Sequence, residues 1–240
     1  MKVAIVGCGW LGERLAAYLV KQGEQIIATT TSPEKFKQIS ATGAEAHLLE
    51  FGKTADFTFL NYCDAAIFSM PAAKDNWHAE LQTLDLSFPK TLFFSSTGIY
   101  PQSAGIFSEE QHENLREDLA ISEEIIRTKF PQTNILRLAG LMGDERNLTN
   151  FFKNRAPGDP GKAVNHIHYE DIVHAVHLIL QSDVQAETFN IVAPKHPTIA
   201  QILNISGDNT GKSARIISAE KFIQNFNYKF IHPNPQYFSR

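Results

Sequence analysis

Residues 1–23 read MKVAIVGCGWLGERLAAYLVKQG, and this stretch decides the fold of the chain. The apolar run at residues 3–6 has the composition of a buried strand, and Gly7, Gly9 and Gly12 follow it at once in the pattern G-x-G-x-x-G. An amphipathic helix is predicted to begin near Leu11, because apolar residues then recur with helical spacing. A strand, a glycine-rich turn and a helix in this order predict the first unit of a dinucleotide-binding sheet.

The three glycines and the start of the helix have separate mechanical roles in such a turn. Gly7 permits the tight turn, Gly9 lets the backbone approach a pyrophosphate closely, and Gly12 lets the helix pack against the strand. The first turn of the helix, which holds Trp10 and Leu11, presents free N–H groups and the positive end of the helix dipole to the phosphates. The alternative is a glycine-rich turn in a sheet that binds nothing.

The segment after the second predicted strand indicates which dinucleotide is bound. An NAD site usually has an Asp or Glu there to bind the ribose 2′-hydroxyl, whereas this chain has no acidic residue until Glu34. The side chains that can instead hold a 2′-phosphate by charge-assisted hydrogen bonds belong to Thr30, Thr31, Ser32 and Lys35. The missing acid therefore favours NADP over NAD as the cofactor, although the same segment also fits a plain helix N-cap after a turn.

Short apolar segments alternate with helix-like segments through residues 1–140. The segments predicted as strands are residues 3–6, 25–29, 46–49, 65–70, 91–95 and 134–138. Several are continuously apolar, as strands buried on both faces of a parallel sheet are, and the alternation predicts an α/β fold of the Rossmann type with a doubly wound parallel sheet. A turn-rich loop at residues 156–161 separates a predicted dinucleotide-binding domain, residues 1–157, from a smaller substrate-side lobe, residues 158–240, that is interwoven with it.

The fourth predicted strand ends at Ser69, Met70 and Pro71. Ligands of doubly wound sheets bind at the carboxyl ends of the strands, where the strand order reverses. These three residues are therefore predicted to line the ribose and nicotinamide side of the cofactor. A capped strand end without a ligand is the alternative.

The composition argues against several classes of partner. With a formal net charge of −4 at pH 7 and a pI near 6.1, the chain has no electrostatic preference for nucleic acid or acidic membranes. Its two cysteines, Cys8 and Cys63, form no metal-ligand pair and indicate a reducing compartment. The sequence shows no secretory or membrane-spanning pattern. We therefore expect a cytoplasmic protein that binds a small molecule, but no metal ion, nucleic acid or membrane.

Five further segments recur in the order of a known family. They are residues 92–100 (LFFSSTGIY), 135–143 (ILRLAGLMG), 165–172 (NHIHYEDI), 189–192 (FNIV) and 228–233 (YKFIHP). With these segments and the glycine turn, the chain resembles the extended short-chain dehydrogenases/reductases, the NAD(P)-dependent sugar epimerase and dehydratase group. The resemblance implies that Ser96 orients a substrate hydroxyl, that Ser95 lies at the cofactor, and that the substrate is a small polar molecule, sugar-like or carbonyl-containing. By analogy with this fold it also implies a homodimer.

The chain departs from this family at the acid–base pair. The family uses a tyrosine in Y-x-x-x-K, in which the lysine lowers the pKa of the tyrosine so that a phenolate accepts a proton. No tyrosine of this chain has a lysine four residues later, and alignment on Glu123 places Leu115 and Leu119 at the two positions. The departure resembles an atypical subgroup of the family that keeps the glycine motif but lacks the pair.

Other residues are candidates for the missing proton transfer, and two functions stay open. Ser96 and Tyr100 are the catalytic candidates because they lie close in sequence, although an unassisted tyrosine has a pKa of about 10. His112 and His166 are alternative proton carriers, because histidine titrates at about pH 6–7. One function is an NADP-dependent oxidoreductase or epimerase-like enzyme. The other is a non-catalytic, redox-sensing NADP-binding protein that regulates a partner.

Overall fold

The structure, a computed structural model, describes residues 1–54, 56–206 and 214–238. Within these residues the helices are α1 Trp10–Lys21, α2 Phe36–Ser40, α3 His78–Thr83, α4 Glu117–Lys129, α5 Leu148–Phe151, α6 Tyr169–Gln181, α7 Ile199–Leu203 and α8 Glu220–Phe226. The strands are β1 Lys2–Val6, β2 Gln25–Thr30, β3 Glu45–Leu48, β4 Ala65–Phe68, β5 Lys90–Ser96, β6 Gly105–Phe107, β7 Asn134–Leu138, β8 Gly140–Met142, β9 His166–His168, β10 Thr188–Ile191 and β11 Arg215–Ile217. None of the helices in this described part combines the length and the apolar composition that a bilayer crossing requires.

Seven strands form one sheet in the order β10-β7-β5-β4-β1-β2-β3. The pairs β1–β2, β1–β4, β2–β3 and β4–β5 are parallel. Each of the six strands predicted from the sequence is present, with ends that differ by no more than about two residues. The predicted α/β fold with a doubly wound parallel sheet is therefore confirmed.

The strand order reverses beside β1. The chain runs outward from β1 through β2 to β3, and β4 then pairs with the other side of β1. Val6 at the end of β1 pairs with Phe68 at the end of β4, so Gly7 and Ser69 begin two loops at the same level of the sheet. Loops that diverge from neighbouring strands in this way leave a crevice at the carboxyl ends of the strands.

The central strands are buried along nearly their whole length. Every residue of β4 is buried, as are residues 3–6 of β1. Because both faces of these strands are covered, their sequences are continuously apolar instead of alternating. Helix α1 buries Leu11, Leu15 and Leu19, which are the apolar residues predicted to repeat with helical spacing.

The chain divides into two compact units, each built from three segments. Unit 1 consists of Met1–Ser96, Glu117–Leu136 and Val176–Thr188. Unit 2 consists of Thr97–Arg116, Arg137–Ala175 and Phe189–Arg240. Two small parallel sheets lie within unit 2, one formed by β6 and β11 and the other by β8 and β9.

Candidate functional site

The glycine turn after β1 leaves an opening over its middle residue. Gly7 has a φ of +90°, and a Cβ there would lie 2.9 Å from the backbone N of Met70, so a larger residue is excluded. A Cβ on Gly12 would lie 3.3 Å from Cys8 Sγ, which reflects the close packing of α1 on the turn. A Cβ on Gly9 would meet no atom within 4 Å. A phosphate can therefore approach the backbone at Gly9, and the turn fits a pyrophosphate.

Helix α1 begins directly after this opening. Its N-cap is Gly9, which offers no side-chain cap. The amides of Leu11 and Gly12 lie in the first helical turn, where N–H groups have no intrahelical acceptor. They and the positive end of the helix dipole favour an anion at this place. The Trp10 ring is covered by the guanidinium of Arg14, whose Cζ lies 3.9 Å from the ring centroid.

The end of β2 holds the glycine turn in place. The backbone N–H of Gly7 donates to Thr29 Oγ1 at 3.0 Å, and the N–H of Cys8 donates to the Thr29 carbonyl at 2.6 Å. Thr29 is buried. The sequence prediction did not include Thr29, and the only signal for it is a hydroxyl side chain at the end of β2.

A cavity of about 470 Å³ lies in unit 1 where β1 and β4 end. The predicted cofactor-binding residues that line it are Gly7, Gly9, Thr30, Thr31, Lys35, Ser69, Met70 and Pro71. The predicted residues that do not line it are Trp10, Leu11, Gly12, Ser32 and Ser95. The cavity therefore brings together the glycine turn, the segment after β2 and the segment after β4.

Two segments of the cavity wall were missing from the sequence prediction. They are Leu49, Glu50 and Phe51 after β3, and Lys74, Asn76 and Trp77 before α3. Both segments follow the carboxyl end of a strand of the parallel sheet. That position is the signal that locates them, because loops at this edge of a doubly wound sheet form the ligand site.

The charges of the cavity wall favour an anionic ligand. Lys35 and Lys74 contribute two ammonium groups. The Glu50 carboxylate also lines the cavity, but it is paired with Lys53 at 2.8 Å. A ligand with several phosphates therefore meets cations on two sides of the cavity.

The segment after β2 forms a tight turn beside the cavity. The Ser32 amide donates to Thr30 Oγ1 at 3.1 Å, which ties the Thr30 hydroxyl to the turn. Ser32 is the N-cap of the short 3₁₀ helix Pro33–Lys35, but its side chain makes no cap hydrogen bond. The helix start of the alternative is therefore present at Ser32 and Pro33, although the Ser32 hydroxyl adds no cap bond. Thr31 and Lys35 line the cavity together with Thr30.

Ser95 and Ser96 end β5 and differ in burial. Ser95 is 5% exposed, and its hydroxyl donates to Glu123 Oε1 at 2.6 Å, which ties β5 to α4. Ser96 is half-buried. Ser95 is therefore committed to the packing of unit 1, whereas Ser96 keeps partial access to solvent.

Tyr100 belongs to a buried hydrogen-bond network in unit 2. It is 1% exposed, and its hydroxyl donates to Asn190 Oδ1 at 2.8 Å and accepts from Arg137 Nη1 at 2.8 Å. Burial raises the pKa of the Tyr100 phenol, and the nearby Arg137 opposes this effect. A buried phenol with a raised pKa is a poor proton acceptor at neutral pH. These contacts place the Tyr100 hydroxyl in the packing of unit 2 and give no support to its predicted catalytic role.

The two leucines at the positions of the family's acid–base pair do not bring a proton carrier to the site. Leu119 lies in α4 and is 2% exposed. Leu115 is half-buried and precedes that helix. Their hydrocarbon side chains contribute packing and no acid–base chemistry.

Unit 2 contains a second cavity, with a volume of about 730 Å³. Aliphatic and aromatic residues form much of its wall. The polar and charged residues of the wall are Glu145, Arg146, Asn147, Asn150, Lys162, Asn165, His166 and Arg215. Arg215 donates to the carbonyls of Thr97 and Pro101 at 2.8 and 2.7 Å, so most of its guanidinium supports the wall. The cavity combines apolar surface with a few polar groups, as small-molecule sites do.

His166 places a neutral imidazole in this second cavity. Burial lowers the pKa of His166 to about 4. The ring lies against Gly140, where a Cβ would overlap it. The expectation that His166 titrates near pH 6–7 is therefore wrong, because burial disfavours its charged form. It is suited to hydrogen bonding and not to proton uptake at neutral pH. His112 is exposed in the loop before α4.

Similarities to known proteins agree with this arrangement. A family model described as NADP oxidoreductase, coenzyme F420-dependent, matches residues 2–77. This match covers β1, the glycine turn, the segment after β2 and the end of β4. The protein YeeZ of Escherichia coli (strain K12) is 28% identical, over 98% of this chain and 97% of its own length.

Solved structures with the same fold include epimerases. A functionally unknown conserved protein from Silicibacter pomeroyi is similar with a TM-score of 0.78 at 19% identity, over 99% of this chain and 96% of its own. UDP-glucuronic acid 4-epimerase from Bacillus cereus, in complex with NAD, is similar with a TM-score of 0.75 at 14% identity, over 96% of this chain and 94% of its own. The chain therefore has the Rossmann-type fold of NAD(P)-binding epimerases and oxidoreductases. The resemblance to the extended short-chain dehydrogenases/reductases is confirmed at the level of the fold.

Proposed function

We propose that the chain is an NADP-dependent oxidoreductase or epimerase-like enzyme that acts on a small polar substrate, sugar-like or carbonyl-containing. Its active site lacks the tyrosine–lysine pair of the family it resembles. The observation that carries this proposal is the open side of Gly9 in a cavity at the switch point of the sheet. A turn that excludes a Cβ at Gly7 yet leaves space at Gly9 is suited to a pyrophosphate.

NADP is the proposed cofactor, and when bound its nicotinamide supplies or removes a hydride. No acidic residue follows β2 before Glu34, whereas Thr31 and Lys35 line the cavity there. The Lys35 ammonium would pair with a 2′-phosphate. The description of the family model that matches residues 2–77 also names NADP. The Bacillus cereus epimerase, in contrast, holds NAD.

The cavity of unit 2 is the proposed substrate site. Its volume of about 730 Å³ suits a small molecule. Arg146 and Lys162 would attract an anionic group, and the neutral His166 would exchange a hydrogen bond with a hydroxyl or carbonyl. The similar fold of an epimerase named for UDP-glucuronic acid supports a sugar-like substrate.

The role of Ser96 as the donor that orients the substrate is carried over from the family resemblance, since Ser96 lines neither cavity. It is half-buried at the end of β5, whereas Ser95 is buried. A positioned hydroxyl donor aligns a substrate oxygen without itself changing charge. We therefore assign positioning of the substrate to Ser96 and no proton transfer to Tyr100.

The cofactor proposal is tested by titrating the protein with NADPH and NADH and following nicotinamide fluorescence. NADPH is expected to bind at least about tenfold more tightly, the effect of roughly 1.4 kcal/mol from one additional charge-assisted contact. Tighter binding of NADH would reject the NADP assignment. Turnover is then screened over sugar nucleotides and carbonyl compounds, with Ser96→Ala as the comparison. Equal turnover by Ser96→Ala and the unaltered chain would reject the role of Ser96.

A non-catalytic NADP-binding protein that senses redox state and regulates a partner is the second candidate. The burial of Leu119 and Tyr100 favours it, because neither position offers an accessible proton carrier. The same screen separates the two candidates. Tight NADPH binding with no turnover of any compound selects the sensor, and turnover that falls in Ser96→Ala selects the enzyme.

A further inference from the structure

Three side chains that are common metal ligands meet in unit 2, and none of the three lines either cavity. His168 ends β9, Glu170 lies in the first turn of α6, and His232 lies in the C-terminal segment. One potential ligand atom from each lies within 4.8 Å of the other two. Glu170 Oε2 is 2.5 Å from His232 Nε2 and 3.8 Å from His168 Nδ1.

The fold itself positions this cluster. Asp171 is fully buried, and its carboxylate accepts the amides of Ile231 at 2.7 Å and His232 at 3.0 Å. It also accepts the Tyr228 hydroxyl at 2.9 Å. These bonds fix the C-terminal segment against the start of α6. Because the ligands are already positioned, the binding of an ion there requires little ordering of the chain and so costs little conformational entropy.

The surroundings of the cluster suit a cation. His168 is buried, and its ring centroid lies 3.9 Å from that of His232. The carboxylates of Glu170 and Asp144 act electrostatically on His168, and their negative charges favour a cation. His168 Nδ1 accepts the Glu170 amide at 3.3 Å, a long hydrogen bond that an ion can replace.

We propose that His168, Glu170 and His232 form a binding site for a divalent transition-metal ion, specifically Zn²⁺. Two imidazole nitrogens and one carboxylate oxygen are a donor set that Zn²⁺ favours, with water as the fourth ligand. Mg²⁺ and Ca²⁺ prefer oxygen donors alone. Binding replaces the hydrogen bond between His232 Nε2 and Glu170 Oε2 by a bond from each atom to the ion, and the proton of the neutral imidazole then lies on Nδ1. The proposal does not rest on the proposed function, because the three residues line neither cavity.

A bound ion would fasten the C-terminal segment to β9 and α6. The ring of Phe238 lies 5.5 Å from the His168 ring and 6.1 Å from the His232 ring, measured between centroids. Phe238 is 8% exposed. An ion that joins the two histidines therefore also holds the packing of Phe238, and Zn²⁺ binding is expected to raise the midpoint of thermal unfolding.

The test uses the full chain without an affinity tag, treated with EDTA, dialysed and titrated with Zn²⁺ against a chromophoric chelator. We expect one Zn²⁺ per chain and a dissociation constant at least about tenfold weaker in His232→Ala and Glu170→Gln. The matched control is His47→Ala, because His47 Nε2 lies 2.7 Å from Glu45 Oε1 in a pair that belongs to no three-residue cluster in the described chain. His47→Ala should bind Zn²⁺ like the unaltered chain.

Two further readouts separate the site from a structural ion pair. Zn²⁺ should raise the thermal midpoint of the unaltered chain and of His47→Ala but not of His232→Ala, and Mg²⁺ should raise none of them. Glu170→Gln keeps a carbonyl oxygen for His232, so it supplies the binding result where His232→Ala does not fold. Equal Zn²⁺ affinity of the unaltered chain and Glu170→Gln would overturn the proposal and leave an ordinary hydrogen-bonded pair. An equal loss of Zn²⁺ affinity in His47→Ala would overturn the proposal as well.

Discussion

The hydroxyl of Thr29 accepts the backbone N–H of Gly7 at 3.0 Å, and this bond connects the end of β2 to the turn that follows β1. The next amide, that of Cys8, binds the carbonyl of the same threonine at 2.6 Å. A turn that leaves the sheet must find new acceptors for its N–H groups. One residue of β2 supplies both acceptors and so fixes where the open side of Gly9 lies.

Thr29→Val should loosen this connection while keeping the shape of the side chain. The Gly7 N–H loses its acceptor, and we expect the free energy of unfolding to fall by about 1–2 kcal/mol, measured by urea denaturation. NADPH affinity should fall with it, because the turn is less fixed. Thr128→Val, on the exposed side of α4, is the control and should change stability by less than about 0.5 kcal/mol. Unchanged stability and affinity in Thr29→Val would contradict this role.

Gly9→Ala and Gly7→Ala should separate binding from folding. The methyl of Gly9→Ala meets no protein atom within 4 Å, and Gly9 has a φ of −92°, so stability should stay level or rise by up to about 1 kcal/mol. Its NADPH affinity should nevertheless fall at least about tenfold, because the methyl occupies the approach of the pyrophosphate. Gly7→Ala should instead lose about 2 kcal/mol or more, from its positive φ and the contact with Met70.

Undiminished NADPH affinity in Gly9→Ala would mean that the phosphates bind elsewhere. Gly23→Ala serves as the control for a glycine-to-alanine change at a positive φ without a clash. Gly23 has a φ of +89°, and its Cβ would meet nothing within 4 Å. It should therefore cost less stability than Gly7→Ala and leave NADPH affinity unchanged.

The glycine turn and the strands could be predicted because their signals are local. Residues 3–6 and the glycines carry the strand and the turn within ten positions of the sequence, and the apolar periodicity of α1 follows directly. Ser69 could be placed at the site for a topological reason, since a strand end beside the switch point faces the ligand. These inferences need no knowledge of distant contacts.

The remainder of the site depends on contacts between distant parts of the chain. Lys74 and Phe51 line the cavity from the loops after β4 and β3. The strand ends locate these loops, but the loop sequences do not specify which side chains face the cavity. Tyr100 became a catalytic candidate because it lies close to Ser96 in sequence, but its buried hydroxyl binds Asn190 and Arg137. Closeness in sequence does not encode which way a side chain points.

Lys35→Ala should reduce the preference for NADPH over NADH. The Lys35 ammonium lines the cavity beside the end of β2, and its removal should weaken NADPH binding about tenfold while leaving NADH binding nearly unchanged. Lys37→Ala, an exposed lysine on α2, removes the same charge outside the cavity and should leave the preference intact. Fluorescence titrations with both dinucleotides measure the ratio. Equal losses of NADPH and NADH affinity in Lys35→Ala would show that Lys35 does not bind the 2′-phosphate.

His166→Asn should reduce the fall in the free energy of unfolding that occurs as the pH is lowered below 6.5. The pKa of His166 is about 4 in the folded chain, against 6.5 for a free histidine, so between these values the unfolded chain binds a proton that the folded chain does not. The contribution of the neutral His166 to the free energy of unfolding is therefore complete above pH 6.5. It is lost as the pH falls towards 4, by about 1.4 kcal/mol per pH unit. Urea denaturation between pH 7 and 4.5 should show a shallower decline in His166→Asn. His112→Asn, at an exposed position, should keep the original slope.

Tyr100→Phe should lower the free energy of unfolding, and it should not remove a group that takes part in catalysis. The phenyl ring keeps its stacking on Phe107, at 5.9 Å between centroids, but Asn190 Oδ1 and Arg137 Nη1 each lose a buried partner. The loss of a hydrogen-bond partner by a buried group costs about 1–3 kcal/mol, more where the group is charged, so we expect the free energy of unfolding to fall by roughly 2–4 kcal/mol. Ser96→Ala should show the opposite pattern, with a smaller loss of stability, because Ser96 is half-buried, and with any turnover reduced. If Tyr100→Phe instead kept its stability and lost turnover about a hundredfold or more, the phenol would be a general acid–base after all.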